Sequence, residues 1–111
     1  DVFVDIKSPH AYLAIGPCLE MEKDYFCKIN WLPFTLSYVS LGVTTSVDSD
    51  RKRRPLDGAA DRRARMYYAA AREYAKLQGL KIRGPEKLLD STSSNKSLLF
   101  AKHQGLEVPF L

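Results

Sequence analysis

Cysteine is scarce, long apolar runs are missing and no segment repeats. Cys18 and Cys27 are the only cysteines, and their spacing fits neither CxxC nor a metal motif. No metal site is therefore expected. Both read as reduced side chains packed as small hydrophobes, which makes the cytoplasm the expected compartment. A disulfide between them stays open and needs favourable geometry. No apolar run approaches bilayer-spanning length, so no membrane partner is expected. No signal peptide is seen: the chain opens on Asp1, inside a strand-like segment, with no basic region before it. It also opens without Met, which leaves the native N-terminus, and with it export, open. There is no internal repeat and no low-complexity tract.

What is present is ordinary in bulk. The 111 residues are 45% apolar and 27% charged, as in a globular domain or a part of one. The net charge of +4 comes from 17 basic and 13 acidic residues. Its source is local. Residues 51–65, "RKRRPLDGAADRRAR", hold seven basic and two acidic residues, against ten and eleven elsewhere. A nucleic-acid surface combines charge with a reading element or stacking aromatics. Neither lies beside this segment, so no nucleic-acid partner is expected.

"VFVDI" over 2–6 is β-branched and aromatic and predicts a strand. Ser8 then has the chemistry of an N-cap, and Pro9 suits the first helical position. A helix is expected from Pro9 to about Tyr25, with Tyr12, Ile15 and Leu19 at helical spacing. Pro17 within it predicts a bend or a break into two. "CKINWLPF" over 27–34 reads as a second strand, ending near or lying at an edge because of Pro33. Pattern is lost from Ser37 to Gly58. A helix follows over about 59–78, with Met66, Ala70, Tyr74 and Leu77 as its apolar stripe. Arg62, Arg65, Arg72 and Lys76 form a basic stripe on another face. Gly79 is a left-handed terminator, followed by Leu80. After a turn-rich connection, "DSTSSN" offers caps for a last helix over about 95–104, ended by Gly105.

The order strand, helix, strand predicts a parallel βαβ unit in an α/β protein. The expected organisation is that unit over 1–36, a basic surface loop over 37–58 and a helical insertion over 59–111. Two strands do not make an independent sheet, so the sheet is expected to be incomplete here.

Three residues at the first strand-to-helix turn invite chemistry. Ser8 is either a helix cap alone or a cap that also holds a ligand. An imidazole is the usual proton-exchanging side chain near neutral pH, so His10 could exchange protons, or be a surface histidine. Asp5 could accept a proton, but suits backbone bonding near the turn better. Trp31 and Phe34 are expected to pack in the core. Tyr67, Tyr68 and Tyr74 could line an apolar pocket, although Tyr74 also belongs to the packing stripe.

"FVDIKSPHAYLA", with "INWLPF" as strand two, resembles the DsbA-like branch of the thioredoxin fold. The nearest resemblance is to 2-hydroxychromene-2-carboxylate isomerases and kappa-class glutathione transferases. It rests on Asp5, Ser8, Pro9 and Leu13, on Pro33-Phe34, on "YYAAAREYAKLQGLKIRGP" and on the polar "DST" segment. It covers nearly the whole chain. DsbA-type oxidoreductases have Cys-Pro-His-Cys where this chain has Ser8-Pro9-His10-Ala11. Dithiol–disulfide exchange needs an attacking thiolate and a resolving sulfur, and this turn has neither.

The resemblance instead implies glutathione as the sulfur-bearing cofactor. Ser8 and His10 would be catalytic, and Ser8 would hydrogen-bond the thiol. Ser8, Pro9, Arg62, Arg65 and Asn95 would contact glutathione, the arginines through its carboxylates. Asn95 and Ser91 equally suit helix caps, and the basic residues a solvated face. Isomerase or transferase activity on a small aromatic substrate is implied, with room for a homodimer. The alternative is a non-catalytic thioredoxin-like binding module. The fold's later β-hairpin and its cis-proline are not seen. "EVPFL" reads as a connection between helices.

Overall fold

The computed structural model describes residues 1–37, 58–84 and 90–111, apart from the Asp61 side chain. The basic run 51–54 and most of the expected loop over 37–58 lie outside these residues. The chain forms two units. One joins Asp1–Leu36 to Leu89–Leu111, and the other is Ser37–Leu88. The helical insertion expected over 59–111 therefore ends near residue 89, and the rest of the chain returns to the βαβ unit.

In the first unit, strand β1 (Val2–Val4), helix α1 (Pro9–Asp24) and strand β2 (Trp31–Pro33) follow one another. The strands pair in parallel, with Val2 opposite Trp31, Phe3 opposite Leu32 and Val4 opposite Pro33. The α/β class and the parallel pair agree with the sequence. Both strands are shorter than expected. Pro33 has no N–H to give, so the ladder closes one residue on, where the Phe34 N–H donates to the Val4 carbonyl at 2.8 Å. Beyond Val4, side chains take the amides that a longer ladder would use. The Ile6 N–H donates to Asn95 and the Leu36 N–H to Asp5.

Ser8 caps α1 in extended conformation and accepts from the Ala11 N–H at 3.3 Å, with Pro9 at the helix start. Pro17 lies inside one continuous helix rather than between two. The core is Val4, Ile29, Trp31 and Leu98, packed by Ala11, Ile15, Cys18, Leu19 and Leu111. Trp31 and Leu98 are fully buried, each contributing about 1.5–3 kcal/mol by removal from water. Tyr12 of the expected stripe is exposed, and so is Phe34, which was expected in the core.

Helix α3 (Thr92–His103) begins three residues before the expected start. Asp90 orders the approach, because one carboxylate oxygen accepts from the Thr92 N–H at 2.9 Å and hydroxyl at 2.6 Å. Ser91 thus takes the N-cap position, although its side chain makes no capping bond. The helix ends at Gly105, φ 70°, with the Leu106 N–H on the Ala101 carbonyl at 2.8 Å. Val108 and Pro109 lie in a short helix, α4 (Glu107–Phe110), rather than a plain connection.

In the second unit, helix α2 (Gly58–Leu77) closes in a Schellman turn at Gly79, φ 67°. The Gly79 N–H reaches the Lys76 carbonyl at 3.1 Å, and the Leu80 N–H reaches that of Ala75 at 2.8 Å. Its buried face differs from the expected one. Ala60, Ala71 and Ala75 are buried, whereas Met66, Ala70, Tyr74 and Leu77 are exposed. Apolar residues occupy most of this helix's circumference, so spacing alone does not choose a face.

After α1, Phe26 adopts φ 50° with its ring almost fully exposed. A left-handed residue with a Cβ costs about 1–2 kcal/mol, and an exposed ring returns little of it. Phe26→Gly should stabilise the protein by about 0.5–1 kcal/mol, the added chain entropy of glycine offsetting the rest. A urea midpoint that falls in the variant would show that the ring contributes more than the strain.

Candidate functional site

The β1–α1 turn is built around a buried carboxylate. Asp5 is 4% exposed at the end of β1. Its Oδ1 accepts from the Lys7 N–H at 3.2 Å, and its Oδ2 from the Leu36 N–H at 2.7 Å. The Lys7 ammonium lies 3.4 Å from Oδ2 and donates to the Leu36 carbonyl at 2.8 Å. The Ser8 N–H closes the turn on the Asp5 carbonyl at 2.8 Å. Burial pushes the Asp5 carboxyl up. Hydrogen bonding from the Ser91 hydroxyl and from the Leu36 and Lys7 amides, with the Lys7 charge, outweighs it and holds the pKa below the usual value. Asp5 thus remains an anion with its lone pairs occupied, which suits positioning rather than proton transfer.

Asn95 of α3 joins this cluster. Its Oδ1 accepts from the Ile6 N–H at 3.2 Å. Its Nδ2 faces Thr35 Oγ1 at 2.9 Å, the Phe34 carbonyl at 3.3 Å, and Asp5 Oδ1 and Ser91 Oγ at 3.4 Å each. One amide thereby ties α3 to the β1–α1 turn and to the exit of β2. Asn95 was read as a glutathione contact or a cap. It is buried, and its amide is turned into the protein.

Ser8, Pro9 and His10 stand together, half-buried, at the start of α1. The bond from Ala11 uses one lone pair of the Ser8 hydroxyl and leaves its proton free to donate. Beneath this turn lies a cavity of about 40 Å³, lined by Val4, Asp5, Ile6, Ala11, Tyr12, Ile15 and Leu111. That is room for a few waters, far less than a tripeptide needs. Arg62 and Arg65 lie in the other unit, on the exposed side of α2.

Sequence reasoning missed Lys7. The clue was an aspartate two residues before a lysine at the strand-to-helix turn, where an Asp side chain bonds the backbone N–H two residues on. Cys18 is half-buried and Cys27 exposed, and both are free thiols. Among the described residues, no group of three or more His, Cys, Asp or Glu could hold a metal ion, and no helix is long and apolar enough to cross a membrane. The chain matches no family model, no curated protein and no solved structure.

Proposed function

We propose that this chain belongs to a DsbA-like thioredoxin-fold protein with glutathione-dependent isomerase or transferase chemistry, and that Ser8 positions the thiol. One observation carries the reading: a serine hydroxyl with a proton to give, at the N-cap of a helix that follows the carboxyl end of a parallel strand. A helix N-terminus favours an anion, and a thiolate there gains both the field and an O–H donor. The ligand brings the sulfur, so Ala11 in place of a resolving cysteine is no obstacle. As an isomerase, the protein would let glutathione add to substrate and leave again. As a transferase, it would leave glutathione in the product. His10, two residues on, is the group that would exchange protons.

The test is glutathione titrated into the protein, with the bound thiolate followed by ultraviolet absorbance. Ser8→Ala should raise the bound thiol's pKa by about one to two units, the loss of one charged hydrogen bond of about 1.5–3 kcal/mol. Loss of the cap should lower stability by about 1 kcal/mol as well. Ser8→Asp separates the two effects. Aspartate caps as well as serine but repels a thiolate, so this variant should be stable and unable to ionise glutathione. An unchanged thiol pKa in both variants leaves Ser8 as a cap and nothing more. No glutathione binding by the unmodified protein leaves the non-catalytic module in its place.

A further inference from the structure

Helix α2 has three faces, and one of them is both largely apolar and exposed. On a helical projection the buried alanines, Ala60, Ala71 and Ala75, form one face. About 110° round, at 3.6 residues per turn, lies an exposed face that is apolar at Met66, Ala70, Tyr74 and Leu77 and carries Arg63 towards its N-terminal end. Met66 is 71% exposed and Leu77 84%. A third face, of Arg62, Arg65, Arg72 and Lys76, flanks the apolar one on its other side, also exposed. Glu73 is the acidic side chain described on this surface, and Lys76 pairs with it at 2.8 Å. The helix is long enough, at about 30 Å, to present several apolar and basic groups at once.

We infer that this side of α2 lies on a membrane surface, its apolar face dipping among acyl chains and its basic face meeting anionic headgroups. The inference is independent of any role for Ser8. An exposed apolar face flanked by a basic one is the pattern of an interfacial helix, which needs no spanning run. The expectation of no membrane partner rests on the absence of a spanning run, which a helix lying in the interface does not need. Charge chooses between occupants. In an antiparallel pair of two copies, the basic flank would face itself and repel. A nucleic acid would meet the basic face but leave the exposed Met66 and Leu77 in water, since phosphate and sugar offer them nothing. A lipid surface with negative headgroups satisfies both faces.

Co-sedimentation of the full chain with vesicles tests this. Phosphatidylcholine vesicles containing about one-third phosphatidylserine should bind it, and pure phosphatidylcholine vesicles should bind it at least about tenfold more weakly. Arg72→Gln with Lys76→Gln should weaken binding by about 25-fold, near fivefold per charge. Met66→Ser with Leu77→Ser should weaken it by at least about tenfold, because buried apolar area is lost. All four sites are exposed, and circular dichroism of each variant checks that the helix is kept. Equal binding to neutral and anionic vesicles overturns the proposal, as does binding indifferent to the Met66 and Leu77 changes. So does binding to single-stranded RNA without binding to vesicles, or self-association abolished by Leu77→Ser in a protein that ignores vesicles.

Discussion

Asn95→Ala should destabilise the protein by about 3–5 kcal/mol, more than any exposed substitution in the chain. The truncation removes one acceptor and several donor contacts at once. It strands the Ile6 N–H, which has no other described partner, and takes a donor from the buried Asp5 carboxylate. Each buried polar group left unsatisfied costs about 1–3 kcal/mol. Lys96→Ala, next along α3 and exposed, is the control and should cost under about 0.5 kcal/mol. Urea melts of the two variants give the comparison. Equal midpoints would mean that water replaces the amide without loss and that the cluster holds nothing together.

The second large effect concerns Asp5 and acid. Its folded pKa is held below the ordinary carboxylate value, so the unfolded chain binds the proton more readily. The stability it adds is therefore complete above the unfolded pKa, near 4, and is lost as pH falls through the folded one. Asp5→Asn should cost about 3 kcal/mol near neutral pH. It leaves the Lys7 charge without its partner and turns an NH₂ toward the Leu36 or Lys7 N–H. The gap between the two proteins should close between about pH 5 and pH 2, because the unmodified Asp5 becomes neutral there. Parallel stability curves over that range would show that the carboxylate is not linked to folding.

The first 36 residues were legible because their signals are local. Ser8 and Pro9 announce a helix start within two positions, and the β-branched run before them announces a strand. Gly79 and Gly105 likewise show in the sequence the left-handed turns they adopt. The rest depended on distance. Nothing near Asn95 says that its amide will meet Asp5, 90 residues earlier. A polar residue among serines at a helix start looks like a cap. The length of β1 was unreadable for the same reason, since the groups that end it come from α3 and from beyond β2. On α2 the difficulty was different: large apolar side chains suggest a core face, but the alanines are the buried ones. As for function, the Ser8 turn was visible in sequence as a cap with a spare hydroxyl. The half-buried ammonium of Lys7 beside it, paired with Asp5, became visible only once the chain was folded.

The clasp between Asp5 and Asn95 also sets an order of events. During synthesis at roughly 5–20 residues per second, the βαβ segment emerges several seconds before the helix that locks it. Until α3 and its N-cap arrive, the Asp5 carboxylate lacks its Asn95 and Ser91 partners, and the Ile6 amide and the side of Trp31 that meets Leu98 wait in water. Residues 37 to 88 lie in the sequence between the two halves of the clasp. The entropy of closing such a loop rises only with the logarithm of its length, by about 0.6 kcal/mol per doubling. The inserted unit can therefore lengthen, shorten or be exchanged at little cost to closure. The residues that meet across it have no such freedom, and a nascent chain that stalls before α3 is the form most exposed to proteases.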